Sequence, residues 1–150
     1  MTPYKIVLSL LLGLLPTFGF SQLKERLAIV TAGFVAGIAD GQREVIVHNP
    51  HAYRFRHPNA RETWWNPDST WRRADRYDGP FVFVADKYHL NQFLRQSMFL
   101  GQTTIVAVIT VGDYKRKGKI LWGKLALNIA LAQGSYMLAK GLTHRYYDVF

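Results

Sequence analysis

Apolar residues gather at helical spacing in three stretches of this chain. Leu27 to Ala39 runs without a charge, and Met98 to Val111 is almost wholly apolar. Ile120 to about Tyr147 is a third such stretch, interrupted by Lys124, Asn128 and Gln133. The pattern predicts three long helices. The first covers about Gln22 to His48 and stops at Asn49-Pro50, because a residue before proline avoids the helical region. The second covers Pro80 to Gly112, with proline at its favoured first position. The third starts at Ile120. The β-branched run Thr103–Thr110 also suits a strand, but a fully apolar strand needs a parallel sheet, and the chain has no partners for one. The expected fold is all-α: one N-terminal helix, then a C-terminal antiparallel helical hairpin. In the first helix small residues recur at Ala28, Ala32 and Ala36, and Gly33-x-x-x-Gly37 adds a second ridge. Residues four apart share a face, so such ridges let another helix come close.

The connection Pro50–Pro80 differs in kind. It interleaves Arg54, Arg56, Arg61, Arg72, Arg73 and Arg76 with Tyr53, Phe55, Trp64, Trp65, Trp71 and Tyr77. Six large aromatics are too costly to leave in water, so it reads as an ordered segment with two short helical turns. Asn59 with Glu62 caps one turn and Asp68 caps the other. Residues 1–21 read as an export signal: Lys5, then apolar Ile6–Leu15, then Gly19 and Ser21 at the small-residue positions before a cut. The single domain is then 22–150, an exported chain.

Ser97–Val111 and Ile120–Leu142 approach the roughly 20 apolar residues of a membrane span. The expectation is a transmembrane hairpin with the lysine-rich connector Asp113–Lys119 on the inner side. The competing reading is a bundle whose apolar faces form its own core.

Composition narrows function by exclusion. The chain has 150 residues, a net charge of +9 and no cysteine. Disulfide scaffolds, thiolate metal sites, Fe–S clusters and cysteine nucleophiles are therefore excluded. No phosphate-binding loop, serine-hydrolase elbow or zinc-protease motif is present in the sequence. Basic residues among aromatics often mean nucleic acid, but an exported chain meets anionic lipid instead, so no nucleic-acid partner is expected. Trp71, Arg72, Arg73 and Arg76 are the candidates for an anionic lipid or phosphate, since guanidinium binds phosphate with two hydrogen bonds. The competing reading pairs these arginines with Glu62, Asp68, Asp75 and Asp78.

Two polar clusters are candidates for chemistry. Asp40, Glu44 and His48 lie four apart on one helix face, and Asp86 and His89 lie three apart on another. Facing helices that each offer a carboxylate and an imidazole build metal sites in bundles. His48, His89, Glu44 and Asp86 are the candidate ligands, suited to zinc, iron or manganese. The competing reading, in which these groups only pair structurally, expects no cofactor.

Several landmarks recur in small envelope proteins of Bacteroidota, which the chain resembles. They are Phe20-Ser21-Gln22, Gly37-Ile38-Ala39-Asp40-Gly41, Trp65-Asn66-Pro67, Asp86-Lys87-Tyr88-His89-Leu90 and an aromatic-ended final helix. The resemblance implies location and architecture, with no activity attached. The leading expectation is a small exported, membrane-associated structural or interaction protein, with anionic lipids as partner and another envelope protein on the Ala/Gly ridge. The alternative is a metal- or acid/base-dependent hydrolase acting on a lipid or envelope substrate through Asp40, Glu44, His48, Asp86 and His89.

Overall fold

The computed structural model describes residues 20–66 and 87–148. They form α1 (Phe20–His48), α2 (Pro50–Arg56), α3 (Glu62–Trp65), α4 (Lys87–Lys117) and α5 (Trp122–Tyr147). The all-α class is as expected, and α4 and α5 form the antiparallel C-terminal pair.

The centre of the bundle is α1. It packs along both α4 and α5, which touch each other far less. It runs antiparallel to α4 and parallel to α5. At one end Ile29 shares a core cluster with Ile109, Leu131 and Ala132. There Gln102, only 3 % exposed, donates from Nε2 to the carbonyls of Ile29 (2.9 Å) and Ala132 (3.3 Å), tying all three helices together. At the other end Val45 and Ile46 of α1 pack with Ala52 and Tyr53 of α2, Trp65 of α3 and Tyr147 of α5. His57 Nε2 lies 2.9 Å from the Tyr147 hydroxyl and closes this second core.

Small residues set the approach of α1 to α5. Gly33, Gly37 and Gly41 face Ser135, Ala139 and Thr143, one every four residues on each helix. A Cβ on Gly37 would sit 2.8 Å from Ala139 Cβ and 3.0 Å from the Lys140 nitrogen. The glycine row therefore makes the contact. Of the alanine row, Ala36 is buried, Ala32 half-buried and Ala28 exposed.

Helix ends follow local chemistry. Asn49 caps α2, its Oδ1 accepting from the Ala52 N–H at 3.2 Å, with Pro50 at the first helical position. Asn59 does not cap α3; Arg61 occupies that position without a side-chain bond. Asp68 lies outside the described residues, as do 80–86 at the predicted start of the second helix. That helix runs past Gly112 to Lys117, absorbing most of the expected connector. Lys115, Arg116 and Lys117 sit where helical carbonyls favour cations. Gly118, at φ +66°, then ends the helix in the left-handed conformation.

One expectation is overturned. Among the described residues no helix is long and apolar enough to cross a membrane, so the transmembrane hairpin does not form. The charge-free run of α4, Gln96 to Gly112, spans about 25 Å at 1.5 Å per residue, below a hydrocarbon core of about 30 Å. It also contains Gln96, Gln102 and three threonines. In α5, Lys124 and Lys140 bound a shorter run that buries Asn128.

Candidate functional site: an ion-pair clamp and an interhelical cleft

The four-residue spacing of Asp40 and Glu44 sets both carboxylates on the α1 face that meets α5. Because α5 runs parallel, its own four-residue row, Tyr136, Lys140 and His144, aligns with them. Asp40 is 3 % exposed. Its Oδ2 accepts from the Tyr136 hydroxyl at 2.5 Å and from Lys140 Nζ at 2.9 Å. Its Oδ1 meets Arg43 Nη2 and Arg95 Nε, each at 3.3 Å. Glu44 accepts from Lys140 through Oε1 and lies 2.9 Å from His144 Nε2 through Oε2. Arg43 reaches on to the Tyr88 hydroxyl at 3.4 Å and lies over that ring. The network crosses all three long helices.

Its electrostatics are those of a clamp. Burial pushes the Asp40 carboxyl up, but hydrogen bonds from Tyr136 and Lys140 and the charges of Lys140 and Arg95 prevail, leaving it below its ordinary range. Glu44 behaves alike: burial opposes, while Lys140 and His144 hold it down. Lys140, against its own burial, is held above the usual lysine value by Glu44 and Asp40. Burial and the adjacent Asp40 push the Tyr136 phenol up. General acid–base work is most efficient when the group titrates near the operating pH. These carboxylates are instead fixed in the charged state with their oxygens engaged.

Of the other sequence candidates, the described residues include His48 and His89. His48 is exposed at the end of α1. His89 is half-buried and lies edge-on to Tyr88, at a centroid distance of 5.4 Å. Among the described residues, no three histidine or acidic side chains converge in a way that could hold a metal. Asp86 lies outside the described residues, as do Trp71, Arg72, Arg73 and Arg76. Sequence reasoning missed Tyr136, Lys140, His144 and Arg95. The available signal was the shared spacing: Tyr136-x-x-x-Lys140-x-x-x-His144 repeats the period of Asp40-x-x-x-Glu44-x-x-x-His48.

Next to the clamp, α4 and α5 leave a cleft of about 400 Å³ over Ala36. Phe99 and Leu100 of α4 and Gln133 of α5 form its walls, with Arg95 and Tyr136 at the clamp. A second acid anchors the opposite end of the bundle. Asp113, 6 % exposed, accepts from Lys124 at 2.7 Å and Arg116 at 2.9 Å. Those bonds hold its carboxyl below the usual range, led by the Lys124 hydrogen bond.

No known protein family, curated protein or solved structure matches this chain.

Proposed function

We propose that the chain is a small exported interaction protein of the bacterial envelope that lies on a membrane surface through the outer faces of α4 and α5. The observation that carries this reading is the exposed apolar surface of those helices. Leu100, Val108 and Met137 are each more than 60 % exposed, within the charge-free runs Gln96–Gly112 and Leu125–Ala139. Contiguous exposed apolar surface on a folded chain marks a contact surface. It is bounded at one end by the exposed cations Lys115, Arg116, Lys117 and Lys119. Apolar helix faces flanked by basic groups suit an anionic interface without crossing it. The export signal in residues 1–21 supports the location from sequence alone.

The hydrolase alternative loses support from the clamp, because Asp40 and Glu44 are held by Tyr136, Lys140, Arg95 and His144. The test is flotation of the full chain with lipid vesicles, beside sedimentation velocity without lipid. The reading expects a monomer that floats with anionic vesicles. A stable dimer that leaves vesicles untouched assigns the apolar faces to a second copy and overturns it.

A further inference from the structure

The turn between α4 and α5 combines two features that a solvated loop does not require together. One is charge. Lys115, Arg116, Lys117 and Lys119 are all exposed, and Lys124 stands nearby. The carboxylate of this segment, Asp113, is turned inward onto Lys124 and Arg116. Among the described residues, Lys115, Lys117 and Lys119 meet no carboxylate. The other feature is apolar. Trp122 is 70 % exposed and Tyr114 54 %, with Val111 and Ile120 exposed beside them. Solubility explains the lysines but not a tryptophan and a tyrosine in water at the same tip.

The turn is also pre-shaped. Gly118 takes φ +66°, its N–H donates to the Tyr114 carbonyl at 2.8 Å, and the Leu125 N–H donates to the Leu121 carbonyl at 3.0 Å. Asp113 and Lys124 bridge the two helix ends at 2.7 Å. Because α1 runs antiparallel to α4, it begins at this same end, where exposed Lys24 adds another cation.

We propose that this turn is the membrane anchor, docking on a bilayer rich in anionic phospholipid. Trp122 and Tyr114 enter at headgroup depth and the lysines lie against phosphate. Tryptophan and tyrosine favour that depth because one end of the ring is apolar and the other polar. Basic groups near an anionic surface add attraction that fades within a Debye length. The inference rests on the membrane-surface reading above and names the part of the protein that makes first contact.

The test is co-sedimentation of the full chain with vesicles of phosphatidylcholine alone or mixed equally with phosphatidylglycerol. Wild type binds the anionic vesicles, and binding weakens as salt rises. The triple variant Lys115→Gln/Lys117→Gln/Lys119→Gln loses about a hundredfold in partition coefficient, at about fivefold per lysine. Brominated lipid quenches wild-type fluorescence, and Trp122→Phe removes the larger share of that quenching. All four positions are exposed, and circular dichroism checks that the fold is kept. A control triple at the far end, Arg54→Gln/Arg61→Gln/Arg145→Gln, binds as wild type. If the control loses as much as the turn variant, net charge alone drives binding and the anchor is overturned. If the turn variant binds like wild type, the anchor is overturned while the surface reading stands. If wild type binds neither vesicle, both fall.

Discussion

Substituting Gly37 by alanine tests the geometry on which the whole architecture depends. In most helices this change stabilises, because alanine is the better helix former by up to about 1 kcal/mol. Here the new methyl would lie 2.8 Å from Ala139 Cβ and 3.0 Å from the Lys140 backbone nitrogen, and nearer still to the Tyr136 carbonyl. Carbon atoms in contact prefer about 3.5–4.0 Å, so α5 must withdraw by a good fraction of an ångström. Two of the obstacles are backbone, which no rotamer change relieves. Overpacking of this kind costs about 1–3 kcal/mol. The retreat also stretches the Lys140 and Tyr136 bonds to Asp40, which puts the cost at the upper end. After the propensity gain, the net loss is about 2 kcal/mol. Gly134 gives the internal comparison: it lies within α5, and a Cβ there meets nothing within 4 Å. Gly134→Ala gains about 0.5–1 kcal/mol. Urea unfolding followed by circular dichroism at 222 nm reads both, provided the denaturant slope is unchanged. A Gly37→Ala protein as stable as wild type, beside a stabilised Gly134→Ala, refutes the close α1–α5 contact.

Asp40→Asn removes a buried charge that opposes three cations, and stability falls by about 3 kcal/mol in the same urea assay. Glu44 is 30 % exposed, and Glu44→Gln costs about 1 kcal/mol. Both carboxyls are held below their unfolded values of about 3.9 and 4.3. Between folded and unfolded values the unfolded chain binds more protons. Stability is therefore fully present above about pH 5 and drains as pH falls through the lowered values, and the double variant Asp40→Asn/Glu44→Gln flattens that slope. The Arg54–Glu62 pair, 2.6 Å apart but 65 % and 49 % exposed, gives a double-mutant coupling below about 1 kcal/mol.

The helices were legible because their signals are local. Asn49-Pro50 marks an end in any context, and the apolar periods of α1, α4 and α5 do not depend on neighbours. Which helix is central was harder to read. That role depends on which small-residue row faces a partner, and Ala28-Ala32-Ala36 and Gly33-Gly37 are neighbouring rows on one cylinder. Gly41 was the deciding residue, extending the glycine row to match Ser135, Ala139 and Thr143. The membrane-crossing expectation failed for a related reason. Gln102 and Asn128 look like blemishes in an apolar span, yet each is at most 3 % exposed. Water excluded by neighbouring helices and water excluded by lipid leave the same one-dimensional pattern. What separates them is the inward bond of Gln102 to the Ile29 and Ala132 carbonyls.

The site was half legible. Asp40 and Glu44 stand out in the sequence because they lie four apart on one helix face, and in the structure both reach Lys140 from that face. The metal reading pairs them with His48 on the same helix and with Asp86 and His89 on the next, whereas their partners are Arg43 of α1, Arg95 of α4 and, at the same four-residue spacing, Tyr136, Lys140 and His144 of the parallel α5. The same fact accounts for the surface. The three long helices contain four acidic residues, Glu25, Asp40, Glu44 and Asp113. Three of these turn toward neighbouring helices and bind Arg43, Arg95, Arg116, Lys124, Lys140 and His144. Holding the bundle together thus consumes most of the helices' negative charge at two inward anchors, one at each end. Lys115, Lys117 and Lys119 are left facing outward beside Trp122 and Tyr114. The pairing that stabilises the fold is therefore also what leaves its turn basic and aromatic, the combination that an anionic bilayer surface attracts.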